Sequence, residues 1–110
     1  MKGYRFSTRI IILRRALVDD GLQMTPGAAV TLCTVWAARR DISDGERFKA
    51  GEKAAEMVAR FVVRSTADTR GITAKDTLKS DAGTELEIIG VKAVQESALI
   101  EITTAARSDK

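Results

Sequence analysis

Early in the chain, polar and apolar positions alternate and then give way to a β-branched run, FSTRIIIL from Phe6 to Leu13. That pattern predicts a strand with Ile10 and Ile12 on one face and Ile11 and Leu13 on the other. Apolar residues on both faces predict a central strand, or one whose outer face meets a partner subunit. Arg9, Arg14 and Arg15 flank the run and are expected at a solvated rim. VDDGLQMTPGA, Val18 to Ala28, holds Asp-Gly and Pro-Gly and no sustained period. It predicts a loop of about ten residues, long enough for its tip to reach a neighbour.

Period two resumes in AVTLCTVWAARRDI, Ala29 to Ile42, which predicts a long strand. Val30, Leu32, Thr34, Trp36 and Ala38 share one face, and Cys33, Val35 and Ala37 the other. Asp41 to Gly45 breaks the pattern, and Ser43 or Asp44 is placed to cap a short helix beginning in GERFKAGEKAAEM; Gly51 in its interior keeps it short. Further on, AAEMVARFVVRS favours helix at its start and strand at its end, so a strand is expected from about Ala55 or Met57 to Ser65 with Phe61 and Val63 together. TADTRGIT reads as a loop, Thr77 to Lys79 as a short strand, and Asp81 to Gly83 as a turn. TELEIIGVKAV gives a strand with Leu86 and Ile88 on one face, joined by Val91 if Gly90 forms a bulge, and SALIEITTA a last strand with Ile100 and Ile102 inward. The closing ARSDK, 106–110, is expected to fray. The sum is a mainly β domain, a small five- or six-stranded antiparallel barrel or sandwich with one short α-helix.

At 110 residues the chain is expected to form one domain that buries a core without disulfides or metals. No apolar stretch reaches the roughly 18 residues of a membrane helix, and polar residues interrupt MKGYRFSTRI before a signal-like segment forms. An intracellular protein, or part of a particle assembled there, is expected. The net charge of +3 comes from 18 basic and 15 acidic residues with the signs interspersed, and the aromatic residues are scattered. A dedicated nucleic-acid binder concentrates both.

Histidine is absent, which removes the commonest general base and metal ligand and any Ser-His or Cys-His pair. Carboxylates gather at Asp19-Asp20 and at Asp41, Asp44 and Glu46, where they suit turns and a helix start better than a calcium loop. No glycine-rich phosphate cradle is present. Cys33 has no partner thiol and reads as a small buried hydrophobe. Neither an enzyme nor a cofactor or metal is expected.

The order of these elements resembles the phage head-closure family, the head-tail adaptor or stopper proteins of long-tailed phages and gene transfer agents. The resemblance covers most of the chain. It is carried by RIIILRR at Arg9 to Arg15, DDG at Asp19 to Gly21, VWA at Val35 to Ala37 and GERFKA at Gly45 to Ala50. RFVVR at Arg60 to Arg64, GIT followed by Asp76, and the closing glycine and LEIIGV at Gly83 to Val91 complete it. Ser65 and Leu86 stand where the family commonly has an aromatic, and Thr77-Leu78-Lys79 replaces a more basic strand.

The resemblance implies a barrel-like subunit copied into a six- or twelve-fold ring on the portal axis. A portal or adaptor ring would lie on the head side and a tail terminator or tail tube on the tail side. DNA would pass through the lumen without sequence readout, and no membrane is involved. Such a ring closes the filled head, retains DNA and docks the tail, in the neck of a particle assembled in the bacterial cytoplasm. Ring contacts are heterologous, one face against a different face of the next copy. Candidate interface residues are Asp19, Asp20, Gln23, Met24, Trp36, Arg39, Arg40, Asp44, Glu46, Arg47 and Phe48. Trp36 is expected to anchor its strand end by core packing, with an intersubunit pocket as the alternative. Two other readings stay open, a small nucleic-acid-binding barrel and the tail terminator of the same particle.

Overall fold

The computed structural model describes residues 4–19, 24–43, 45, 57–80 and 83–106, with 16–19 and 24–26 described by backbone alone. The alternating segments become six strands, β1 (Thr8–Asp19), β2 (Met24–Asp41), β3 (Met57–Arg64), β4 (Thr77–Ser80), β5 (Glu85–Val94) and β6 (Leu99–Ala106). Every neighbouring pair is antiparallel, and the order β1-β2-β3-β6-β5-β4 closes on itself as a barrel. Closure removes the unpaired edges that an open sheet of this size would expose.

Alternate positions fill the lumen. Ile10 and Ile12 of β1, Phe61 and Val63 of β3, Leu78 of β4 and Ile102 of β6 are wholly buried, joined by Cys33, Ala37, Leu86, Ile88 and Ile100. The predicted faces of β1, β3, β5 and β6 are therefore the observed ones. Ile72, from the segment between β3 and β4, enters the same cluster. Ala38 and Val62, paired across β2 and β3 on the opposite face, are buried as well.

Bulges shape the sheet. Between Ile88 and Gly90 the register against β6 slips, as the glycine suggested, leaving Ile89 as the extra residue and 48% exposed. A slip beside Ala59 leaves its carbonyl to be met by the buried Thr104 hydroxyl, which donates to it at 2.7 Å. A third slip, where Ile12 pairs with Cys33 but Leu13 with Thr31, makes Leu32 the extra residue of β2. It overturns the expectation that Val30 shares the Trp36 face, because Val30 pairs with Arg14, in step with Ile10 and Ile12.

The expected ten-residue loop at Val18 to Ala28 is also corrected. β1 continues to Asp19 and β2 starts at Met24, leaving 20–23 between them. Pro26 is tolerated in the ladder because it pairs with Leu17 beside another slip, where regular hydrogen bonding is already interrupted. The expected helix beyond Gly45 and residues 107–110 of the tail lie outside the described residues; Ala106 itself pairs with Leu86.

Candidate functional site

Strands β1 and β2 outrun the barrel. β4 pairs with β1 only at Ile10 to Leu13, and β3 with β2 only at Ala38 to Asp41. Arg14 to Asp19 and Met24 to Val30 pair only with each other among the described residues, forming a two-stranded arm. At about 3.3 Å per residue the arm reaches on the order of 20 Å. The molecule measures 53 × 34 × 26 Å, elongated as such an arm requires.

A lone hairpin is marginal in water, so the arm needs holding at its root. Two consecutive arginines do this. Arg14 donates from Nε to Oδ1 of Asp76 at 2.8 Å, and from Nη2 to Oδ2 at 3.0 Å and to the Gly71 carbonyl at 2.8 Å. Arg15 donates from Nη1 to Glu85 Oε2 at 2.9 Å, and the Thr77 hydroxyl donates to the same oxygen at 2.6 Å. Arg14 stays at the exposed rim and Arg15 is half-buried, and each does more than meet solvent: Arg14 ties the arm to the segment before β4, and Arg15 ties it to the start of β5.

The Asp76 side chain is fully enclosed whereas that of Arg14 is 46% exposed. Burial opposes the charge on Asp76, but the Arg14 hydrogen bonds, the Thr73 amide at 2.9 Å and the Arg14 charge outweigh it and hold the carboxyl below the usual carboxylate range. The segment it fixes is itself ordered by Thr69, whose hydroxyl accepts from the Thr66 amide at 2.8 Å and donates to the Arg64 carbonyl at 2.7 Å.

At the other end of the β1–β2 ladder lies an open groove of about 610 Å³ lined by Tyr4, Phe6, Ser7, Trp36 and Arg64. The Tyr4 and Phe6 rings are 6.3 Å apart, tilted at 57°. Arg64 places its guanidinium 3.9 Å from the Phe6 ring centre, and Arg9, paired with Trp36 in register, sits 5.0 Å from the Trp36 ring. Both distances fall within cation–π range. Trp36 is 49% exposed, so it does not anchor the core as expected. Parity explains this: with Cys33, Val35 and Ala37 facing inward, Trp36 must face outward.

Of the other residues singled out from the sequence, Asp19 and Met24 face each other at the described end of the arm. Arg39 lies 5.7 Å from the Phe61 ring and pairs with Asp41 at 3.0 Å, which places Asp41 on a strand and not in a turn. Arg40 is exposed and opposite Arg60. Asp20, Gln23, Asp44, Glu46, Arg47 and Phe48 lie outside the described residues. Sequence reasoning missed the groove residues Tyr4, Phe6, Arg9 and Arg64, and the Arg14–Asp76 clamp. The groove aromatics Tyr4, Phe6 and Trp36 lie too far apart in sequence to show that they converge; the single signal was the outward parity of Trp36.

Burial pushes the Cys33 thiol up, with the charges of Asp68 and Asp76 adding to it, so the thiolate that a nucleophile needs is disfavoured. No group of three potential metal ligands occurs among the described residues. No helix among them is long and apolar enough to cross a membrane. What the arrangement offers is surface: a clamped arm at one end, and an arginine and aromatic groove at the other.

A family model described as phage head completion protein matches residues 1–107 of the chain. No curated protein matches it. Among solved structures, the solution structure of protein SF1141 from Shigella flexneri 2a is similar with a TM-score of 0.76 and 24% identity, covering 100% of both chains. That likeness shows a shared fold.

Proposed function

The chain belongs to the phage head completion protein family, and from that premise we propose that it is a ring subunit of the head-tail connector. In this reading copies assemble in the neck between a portal or adaptor ring and the tail terminator or tail tube. The ring closes the filled head, retains its DNA and presents a docking surface to the tail. The candidate interface residues Asp19, Met24, Trp36, Arg39 and Arg40 fall on the arm, the groove and the strand end beyond it.

One observation carries the ring reading: a barrel that has closed its own sheet still projects a clamped arm and exposes its tryptophan beside arginines. Tryptophan and arginine are over-represented among residues that dominate protein interfaces. Two ends of different construction, a two-stranded arm and a groove, suit a heterologous contact, the kind that closes into a ring. Against the nucleic-acid-binding barrel stands the placement of Arg9 and Arg64 over the ring faces that base stacking requires.

Deleting the gene from a producing phage or phage-like element tests the proposal. Filled heads should lose their genome and lack tails, and electron microscopy of wild-type necks should show this chain traced as a ring. Mutant particles that keep DNA and attach tails normally would refute it.

A further inference from the structure

We infer that the arginine and aromatic groove receives the end of the hairpin arm of a second copy of this chain. The inference rests on the ring reading above and adds the contact that builds the ring.

Charge points to the occupant. Arg9 and Arg64 are exposed, and neither has a carboxylate within ion-pair distance among the described residues. A guanidinium lying on an aromatic face keeps its N–H edge free, and that edge matches a carboxylate in a bidentate fork. The arm supplies one, because β1 ends at Asp19. Its second strand carries no charge to repel a partner, since Met24 to Ala38 contains no Asp, Glu, Lys or Arg. Val30 on that stretch is 65% exposed. Long uncharged strands left in water invite pairing with another chain, and proteins that stay single protect them with charge.

Geometry excludes the same chain as donor. Arg9 and Asp19 belong to one strand, ten residues apart, which is roughly 33 Å of extended backbone. The acid must therefore reach the groove of a different copy. Each copy then offers one arm and one groove, so the contact propagates head to tail and closes when the rotation permits. Nucleic-acid phosphate is the competing occupant of the same arginines, and the test below separates it.

The test uses assembled necks purified from particles. In a Cys33→Ala background, Ser7→Cys in the groove and Val18→Cys beside Asp19 are combined in one chain, and a short bismaleimide is added. The expected result is a ladder of covalent oligomers longer than two, against dimers at most for either single cysteine. Arg9→Glu with Arg64→Glu should lower incorporation into necks at least tenfold, while the isolated variant melts within a few degrees of wild type.

Necks that hold the chain as a ring but yield no ladder overturn the arm-to-groove contact and leave the ring reading intact. Necks without the chain overturn both. If the double arginine variant assembles normally and loses only salt-sensitive retention of DNA, the groove holds phosphate and the inference is overturned.

Discussion

Asp76→Asn probes the root of the arm most directly. The wild-type carboxylate accepts from Arg14 twice, at 2.8 and 3.0 Å, and from the Thr73 amide at 2.9 Å. An asparagine can keep its oxygen toward Arg14 Nη2 and the Thr73 amide, but its NH₂ then confronts Arg14 Nε, donor against donor. One charge-assisted hydrogen bond is lost, worth about 1.5–3 kcal/mol. The Arg14 side chain is 46% exposed and regains water, which keeps the cost near the middle of that range, about 2 kcal/mol. For a domain of this size the melting temperature should fall by about 10 °C at neutral pH. The sign with pH follows from the depressed carboxyl: the stabilisation is complete above the unfolded aspartate value of about 3.9 and is lost as pH falls through the lower folded value. Wild type and Asp76→Asn should therefore differ most near neutrality and converge in acid. Thermal melts by circular dichroism from pH 7 down to pH 2.5 measure this. A neutral-pH difference below about 2 °C, or a gap that widens in acid, would refute the clamp.

Other substitutions test separate parts of the structure. Gln95, Glu96 and Ser97 turn the β5–β6 hairpin with φ of 53°, 57° and 72°, so Ser97→Gly should raise stability by about 0.5–1 kcal/mol in urea titrations. Thr104→Val leaves the Ala59 carbonyl without its hydroxyl donor beside the bulge and should cost about 1–2 kcal/mol by the same measurement. The Cys33 thiol, buried and with its ionisation disfavoured, should react with a thiol reagent only as fast as the protein opens, becoming fully reactive in denaturant. Trp36→Ala should change the melting temperature by less than about 4 °C, since the ring is half-exposed, while sharply reducing incorporation into necks.

The strands were legible because a closed barrel of this size has one inside, and period two names it. Ile10 and Ile12, Phe61 and Val63, Leu86 and Ile88, and Ile100 and Ile102 all point where alternation puts them. Gly90 marked its bulge through composition. Bulges without a glycine left no mark: the one at Leu32 shifted Val30 out of step with Trp36, and nothing in TLC announces it. The left-handed turn at Gln95 to Ser97 likewise lacks the glycine or asparagine that usually betrays such backbone. Turn dipeptides misled at Val18 to Ala28, because Pro26-Gly27 sits beside an interruption inside a ladder and does not end it. The groove was illegible for another reason. Tyr4, Phe6, Arg9, Trp36 and Arg64 meet through pairings between β1 and β2 and the closure of β3 beside them, contacts that no local pattern encodes. Asp76 failed to stand out because its partner lies 62 residues away.

A single arm-to-groove contact is weak by design of its parts. One carboxylate on exposed guanidinium groups contributes a few kcal/mol at most, and the groove is shallow, so the free energy of association falls short of the roughly 8 kcal/mol that micromolar affinity requires. Copies should remain apart in dilute solution. On a templating ring the balance would change, because neighbours held by a template meet at an effective concentration of about millimolar, and a copy offering one arm and one groove would make two such contacts. The clamp then matters for assembly as well as stability: an arm fixed at its root by Arg14 and Arg15 loses little freedom when its end docks, whereas a loose hairpin would lose most of what the contact supplies. If the proposed arm-to-groove contact builds the ring, a weak contact, an arm held at its root and a template predict a subunit that stays monomeric in dilute solution and joins the particle where a ring is being built.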